Sequence, residues 1–445
     1  MSSLAEGLPG YLVLDEKYLF WNIFAFQIQP KNIKESFMGK FTARLFILVW
    51  ASILIVGSPV FAADTIKVGI VDTYSGGAAV FGIDMLDGFK MAVNEINAKG
   101  GVLGKKIEFV TRDEKFKPDL ALSMAKELVM KEKVDILMGT ISSGSALAVS
   151  EYAKKEKIPF FVTYAKSEKI SGEKGHRYVF TMGENTSMAG RAAAAALAKK
   201  PYTKFWIAGD DYEFGHAMTD SVWNHLKTLN PKVQLLGKTF WKVGESDYVP
   251  YITQIMAAKP DVLIMGSAGS GVIGFQKAAK ATGFSQQVVI YQHTAIELAV
   301  LSSLGLEGPE GVAGTASYMF YYPQTPENKA FVNEYRKIYN RYPTMPSFYG
   351  YTTGQFIGKA FQKAGKVDIE RFVDALEGMV LETSAIGRLE LRACDHQLLL
   401  PTFYGVTKKV PEYKDFLIGT DIITIPPKDG VPSCEEIQKA RGKAK

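Results

Sequence analysis

The residues of this chain best suited to hold a ligand form a short turn, GTISSGS, at positions 139–145, which contains three serines and two glycines. Residues 134–138 before it are an apolar run typical of a buried strand, and residues 146–153 after it begin a helical pattern. The turn therefore combines the free backbone N–H groups of a helix N-terminus with the hydroxyls of Ser142, Ser143 and Ser145, on either side of Gly144. Such donors would hold a carboxylate. The alternative is that one serine only caps the helix.

Sequence patterns for catalysis are absent. Residues 72–82, after the first predicted strand, do not give the G-x-G-x-x-G spacing of a dinucleotide-binding turn. GTISSGS is not a nucleophile elbow, and none of the five histidines is tied by sequence to Ser143. No metal-ligand spacing is present either. We therefore predict no catalytic residue, no metal ion and no cofactor.

Strand and helix patterns alternate from residue 66 onward, first in a unit that extends to about residue 163 and again from about residue 181. Such alternation predicts an α/β fold with two doubly wound parallel-sheet lobes. Ligands of open α/β sheets bind beyond the carboxyl ends of the strands. We therefore expect a cleft between the lobes, formed by the loops at 73–81, 139–145, 164–167, 210–214, 266–271 and 292–294.

The N-terminal region has the order of a secretory signal. Lys40 and Arg44 precede an apolar stretch at 45–56, and small residues follow up to Ala62. We predict a signal peptide at 38–62, cleaved after Ala62, and hence a periplasmic protein; the alternative is an uncleaved anchor. Residues 1–37 fit neither a signal nor a domain, so we expect a non-native or disordered extension, with translation starting at Met38.

The distribution of charge argues against a nucleic-acid partner, and the two cysteines predict a disulfide. The formal net charge of +6 comes from lysines spread along the chain, without the basic stripes typical of nucleic-acid binding, so we expect no nucleic-acid partner. The two cysteines, Cys394 and Cys434, lie near the C-terminus of an exported chain, where oxidation is permitted. We predict that they form a disulfide; the alternative is two unpaired thiols.

Several segments between residues 66 and 408 resemble the leucine/isoleucine/valine-binding family of periplasmic solute-binding proteins. They are YSGGAAVFG at 74–82, NEINAKGGVLG at 94–104, GTISSGSA at 139–146, GDDYEFG at 209–215, GPEGVAG at 308–314 and ACDHQ at 393–397. The resemblance implies two lobes joined by three crossovers, which close on a small ligand and deliver it to a membrane ABC permease. We expect a monomer. The implied lobes are 64–182 with 318–388, and 183–317 with 389–430, followed by a tail at 431–445.

The resemblance also implies roles for residues of the cleft. Ser143 would be the side-chain donor to a ligand carboxylate, with Ser142 and Gly144 in the same turn. Ala165 and Ser167 would supply backbone and hydroxyl partners. Phe81 and Phe214 stand at positions where the family has aromatic cleft residues, and His293 stands where amino-acid binders place an acid. Two further candidates are Tyr74, which has no firm family counterpart, and Gly269 of the 266–271 loop.

The expected ligand class follows from the histidine at position 293. Without an acid at position 293, the ammonium group of an amino acid would lose its hydration without gaining an anionic partner. We therefore expect a carboxylate with an apolar or aromatic body rather than leucine, isoleucine or valine. The alternative is that Asp210, Asp211 or Glu213 reaches the ammonium. A second reading of the function is a ligand-sensing protein that acts on a receptor or regulator.

Overall fold

The structure is a computed structural model that describes residues 65–442 of the 445-residue chain. The predicted extension at 1–37 and the signal peptide at 38–62 lie outside the described residues. Between residues 65 and 442, none of the helices has the length and apolar character needed to cross a membrane.

The first lobe is built on a sheet of five parallel strands in the order β2-β1-β3-β4-β5. The strand at Ile66–Asp72, which has a parallel neighbour on each side, carries Ile66, Val68 and Ile70, which are fully buried, as expected for a parallel strand covered on both faces. The strands are β1 Ile66–Asp72, β2 Ile107–Asp113, β3 Ile136–Gly139, β4 Phe160–Val162 and β5 Val179–Thr181.

Six helices belong to this lobe: α1 Ala79–Ala98, α2 Pro118–Glu127, α3 Ser143–Glu156, α9 Pro326–Tyr339, α10 Met345–Ala364 and α11 Ile369–Leu376. Helix α2 continues into one π-helical turn, Leu128–Glu132. Helix α10 crosses α1 so closely that a Cβ atom on Gly88 would lie 1.9 Å from the carbonyl oxygen of Ser347. Glycine at this position therefore lets the two backbones touch.

The second lobe is built on a seven-stranded sheet in the order β15-β14-β10-β9-β8-β6-β7. Five of its strands pair in parallel, as the predicted parallel-sheet lobe requires, and β14 adds an antiparallel edge because it pairs in that sense with both β10 and β15. The strands are β6 Lys204–Asp210, β7 Gln234–Trp241, β8 Val262–Gly266, β9 Val289–Gln292, β10 Ala313–Ala316, β14 Thr402–Lys408 and β15 Ile418–Ile425.

The remaining helices comprise one before β6, four that follow parallel strands of the second lobe, and two short ones after β15. They are α4 Thr186–Leu197, α5 Glu213–Leu229, α6 Val249–Ala258, α7 Ser270–Ala281, α8 Leu298–Leu304, α12 Pro427–Gly430 and α13 Cys434–Gly442. Two 3₁₀ turns, Phe284–Gln286 and Gly305–Glu307, precede β9 and β10, respectively.

The chain passes between the two sheets three times, after β5, after β10 and before β14. Our sequence-based return to the second lobe at Leu389 comes too early. Leu389–Leu391 pairs with Val380–Leu381 and Leu398–Leu399 in a small antiparallel sheet, β11 to β13, and the large sheet is entered only at Thr402. The other lobe boundaries stay a prediction.

Cys394 and Cys434 are joined by a disulfide that spans 40 residues of sequence. Arg441, in the last helix, donates hydrogen bonds to the carbonyl oxygens of Gly172 and Cys394 at 3.1 and 3.2 Å. The C-terminal helix is therefore fixed both covalently and by side-chain contacts.

Candidate ligand site

A small cavity lies between the two lobes, at the carboxyl ends of the strands. Its volume is about 20 Å³. The first lobe contributes Phe81, Ile141, Tyr164 and Lys166, and the second contributes Tyr212, Phe214, Ser267, Ala268, His293 and Thr294. These residues come from all six of the loops that the sequence predicted to face a cleft.

Aromatic rings make up much of the wall of this cavity. In the first lobe, Phe81 stacks on Tyr164 with ring centroids 5.1 Å apart. In the second lobe, the ring of Phe214 lies 5.9 Å from Tyr212 and 6.0 Å from His293. Flat apolar faces on both sides suit a planar or apolar ligand body.

Lys166 is the one charged side chain among the residues that line this cavity in the described part of the chain. It is 4% exposed, and its Nζ lies 3.2 Å from Oε1 of the fully buried Glu184. Nζ also lies 4.7 Å from the ring centroid of Tyr164, close enough for a cation–π contact. Burial lowers the pKa of Lys166 and raises the pKa of Glu184, while their mutual attraction opposes both shifts.

His293 is fully buried at the other side of Glu184. Its Nδ1 lies 2.9 Å from Thr315 Oγ1, and its Nε2 lies 3.6 Å from Glu184 Oε1, too far for a hydrogen bond. Burial, and then the positive charge of Lys166, hold the pKa of His293 well below its usual 6.5. The imidazole is therefore neutral at pH 7.

The hydroxyls of the serine turn are used inside the first lobe. Ser142 caps α3, since the Ser145 N–H donates to its Oγ at 3.4 Å, so the capping alternative applies to Ser142. Ser145 Oγ donates to Glu114 Oε2 at 2.8 Å. Ser143 Oγ accepts the N–H of Ser167 at 3.2 Å. None of these residues, nor Gly144, lines the cavity in the described structure, and their roles toward a ligand stay predictions.

The other predicted site residues divide between the cavity and its surroundings. Phe81, Phe214 and His293 come together in its wall. Ala165 is buried and Ser167 Oγ donates across the cleft to Glu213 Oε1 at 2.7 Å. Two residues lie elsewhere: Gly269 lines a second cavity of about 170 Å³, and the N–H of Tyr74 donates to Asp113 at 2.9 Å without Tyr74 lining either cavity in the described chain.

The acids that we considered as partners for an ammonium group are engaged elsewhere. Asp210 accepts the Nε1–H of Trp241 at 2.9 Å and the N–H of Ala268 at 3.1 Å. Asp211 lies 2.8 Å from His216 Nε2. Glu213 is bonded to Ser167 and, at 3.1 Å, to Lys169.

Sequence reasoning missed Lys166, Glu184, Tyr164 and Tyr212. Lys166 stands between Ala165 and Ser167, both of which were named, so a lysine in an otherwise uncharged loop after a buried strand was the available signal. Glu184 carried no comparable signal because it follows a different strand, β5.

Comparisons with known proteins agree on one family. A family model described as periplasmic binding protein matches residues 65–407. A leucine-, isoleucine-, valine-, threonine- and alanine-binding protein of Pseudomonas aeruginosa is 25% identical, over 78% of this chain and 91% of its own length.

Two similar solved structures are solute-binding proteins of ABC transporters from Rhodopseudomonas palustris. One, in complex with 4-hydroxybenzoate, is 26% identical with a TM-score of 0.74 and covers 82% of this chain and 97% of its own. The other, from strain HaA2 in complex with p-hydroxybenzoic acid, is 26% identical with a TM-score of 0.75 and covers 83% and 99%.

Proposed function

Because this chain belongs to the periplasmic binding protein family, as a substrate-binding protein of the branched-chain amino acid type of ABC transporter, we propose that its ligand is a small carboxylate with an aromatic or other apolar body. The family is periplasmic and consists of binding proteins rather than enzymes. We place the mature chain in the periplasm as a monomer, released by cleavage after Ala62, where it delivers its ligand to a membrane ABC permease without catalysing a reaction.

One observation carries the proposal: the cavity presents the cation Lys166 between aromatic faces. A carboxylate bound there gains a charge-assisted hydrogen bond from Nζ, and an aromatic body packs between Phe81 and Phe214. The ammonium of an amino acid would instead meet the like charge of Lys166. The two Rhodopseudomonas complexes contain 4-hydroxybenzoate, a ligand of the proposed class.

The ligand enters only when the lobes separate. A cavity of about 20 Å³ holds about one water molecule. The lobes also touch beside the second cavity, which Gly77 and Ser270 line, since a Cβ atom on Gly77 would lie 2.5 Å from Ser270 Oγ. We therefore expect the ligand to bind to an open arrangement of the lobes, which then closes around it and leaves a wider cavity than the one seen here. Lys166 and Phe81 would contact the ligand from one side, and Phe214 and His293 from the other.

Calorimetry with four ligands tests the proposal: benzoate, 4-hydroxybenzoate, leucine and 4-methylpentanoate, which resembles leucine without its ammonium. We expect micromolar binding of at least one aromatic acid and stronger binding of 4-methylpentanoate than of leucine. Benzamide, which lacks the carboxylate charge, is the control and should bind much more weakly than benzoate. Micromolar binding of leucine, with the three acids much weaker, would show that the site takes amino acids.

A further inference from the structure

Three buried ionisable groups form one cluster beside the cavity. Lys166 Nζ and His293 Nε2 lie 3.2 and 3.6 Å from the same oxygen, Glu184 Oε1. The side chain of Lys166 is 4% exposed, and those of Glu184 and His293 are not exposed. Lys166 and His293 also line the cavity itself. Any charge that enters the cavity therefore meets this cluster with little screening by water.

The cluster is incompletely bonded. Glu184 Oε2 and His293 Nε2 are buried and have no hydrogen-bond partner in the described structure, and the same holds for the hydroxyl of Tyr164 in the cavity wall. A buried polar atom without a partner costs about 1–3 kcal/mol, and such atoms are rare in folded proteins. Their concentration here indicates that the cluster completes its bonding only when something else is present.

The charges of the cluster limit how a carboxylate can bind. Without ligand, Lys166 and Glu184 neutralise each other. A ligand carboxylate at Lys166 Nζ would leave two buried anions and one cation, and an uncompensated buried charge is strongly disfavoured. When like charges share a site, one of them takes up a proton or a neighbouring base becomes charged. The neighbouring base is His293.

We propose that the site binds its carboxylate ligand together with one proton, which is taken up from solvent by the imidazole of His293. This inference rests on the proposed function. The balance is one protein, one carboxylate and one proton combining into a complex in which Lys166 and His293 are cations and Glu184 and the ligand are anions. As an imidazolium, the ring donates from Nδ1 to Thr315 Oγ1, and Nε2–H points toward Glu184 Oε1.

The free and bound states differ in what surrounds His293. In the free protein, burial and then the positive charge of Lys166 disfavour a charged imidazole at His293. In the complex the ligand carboxylate offsets that charge, so the attraction of Glu184 prevails. Binding therefore raises the pKa of His293 from its depressed value.

The other titratable groups around the cluster do not take up the proton. Tyr164 and Tyr349 face Lys166 at 4.7 and 5.5 Å, and burial raises the pKa of both phenols, which stay neutral. Tyr291 shares Thr315 Oγ1 with His293 and is likewise buried, with its pKa raised. Burial raises the pKa of Glu297 to about 8, so this group is already mostly protonated at pH 7 and cannot take up a further full proton; its oxygens accept backbone N–H bonds from Ala299 and Met345 at 2.9 and 2.8 Å.

The predicted pH dependence follows from the sign of the coupling. Above the depressed pKa of free His293, each bound carboxylate removes one proton from solution. The dissociation constant for benzoate should then rise about tenfold per pH unit, until the pH passes the raised pKa of His293 in the complex. Binding is therefore tighter at pH 6 than at pH 7, although benzoate itself is ionised at both.

The test is calorimetric titration with benzoate at pH 7 in two buffers with different ionisation enthalpies, phosphate and Tris. The change in observed enthalpy between them gives the number of protons taken up, which we expect to be about one per benzoate. No variant is needed for this measurement. Binding of benzoate with no proton uptake would overturn the inference while leaving the proposed function intact. If no carboxylate binds, both fail.

Two substitutions assign the proton. Glu184→Gln removes the competing anion, so benzoate should bind without proton uptake and with an affinity that no longer changes with pH. His293→Gln should also abolish uptake and should weaken binding at pH 7 by at least tenfold. His216→Gln, which alters a half-exposed histidine beside Asp211, is the matched control and should keep the uptake of one proton. Persistent uptake in either of the first two variants, with the fold verified by circular dichroism, would contradict the assignment to His293.

Discussion

Single residues decide the charge of this site. The serine hydroxyls of the 139–145 turn form hydrogen bonds within the protein. Lys166, one residue before the predicted Ser167, lines the cavity instead. The difference arises because a hydroxyl at a helix N-terminus finds hydrogen-bond partners in its own segment. The ammonium group of a lysine after a short buried strand instead pairs with groups from other segments of the chain.

Replacement of Lys166 by methionine should affect both stability and binding. It leaves Glu184 buried without its partner, so we expect a loss of about 3–5 kcal/mol in the free energy of unfolding, measured by urea denaturation. The double variant Lys166→Met/Glu184→Leu should regain most of that loss. Both variants should bind benzoate at least tenfold more weakly than the unmodified protein.

Lys169→Met is the control for that experiment, because Lys169 is 46% exposed in its contact with Glu213. An exposed ion pair contributes little, so stability should change by less than about 1 kcal/mol. If the double variant folds and binds benzoate as tightly as the unmodified protein, Lys166 does not hold the carboxylate.

Ser143→Ala distinguishes a ligand role from a structural one. Its Oγ accepts the N–H of Ser167, and loss of that acceptor leaves a buried donor unpaired. We expect the free energy of unfolding to fall by about 1–3 kcal/mol while benzoate affinity changes less than twofold. The opposite result, weaker binding with unchanged stability, would support the carboxylate grip that the family resemblance implies.

At the scale of elements, the contact between α1 and α10 holds the first lobe together. Phe81 lies in α1, so the packing of this helix also positions a wall of the cavity. Gly350 of α10 complements Gly88 of α1, since a Cβ atom on Gly350 would lie 2.0 Å from the carbonyl oxygen of Met85. The approach depends on backbone atoms, which cannot move aside as a side chain can.

Gly88→Ala should therefore be strongly destabilising. Overpacking costs about 1–3 kcal/mol and occasionally more, and here the clash is with a carbonyl group. Thermal unfolding measures the effect. Gly442→Ala is the matched control, because a Cβ atom there meets nothing within 4 Å. Equal melting temperatures for the two variants would show that the helices separate at little cost.

At the scale of the whole molecule, two lobes meet around a nearly filled cavity, and the C-terminal helix is tied to the chain segment that returns to the second lobe. The disulfide partner Cys394 precedes β13, and Arg441 of the helix reaches Gly172 of the first lobe. The tail is thus part of the folded structure that supports the cleft.

Removal of the disulfide should lower stability substantially. A cross-link that spans 40 residues stabilises the folded state by about 4 kcal/mol in the chain-entropy model. The double variant Cys394→Ser/Cys434→Ser should show this loss in urea denaturation. The unmodified protein treated with a reducing agent should show the same loss. A difference below about 1 kcal/mol would mean that the unfolded chain gains little freedom when the bond is absent.

The sequence by itself determined the class of fold, the family and the general position of the site. Alternating strand and helix periods report which faces are buried, and this information is local. The rule that ligands bind beyond the strand ends then led to the segments after the strands that contain Phe81, Phe214 and His293, which the structure brings together. The antiparallel pairing of β14 with β10 and β15 was not part of the prediction, because an apolar pattern reports burial and not strand direction.

Only the tertiary structure decided which charges meet. Lys166 and Glu184 follow different strands, β4 and β5, and their pairing depends on the register of those strands and on the path of two loops. His293 approaches the same carboxylate from the other lobe. Hydrophobic periodicity specifies burial but carries no information about which buried polar groups become neighbours, because that choice is made by contacts between segments distant in the sequence.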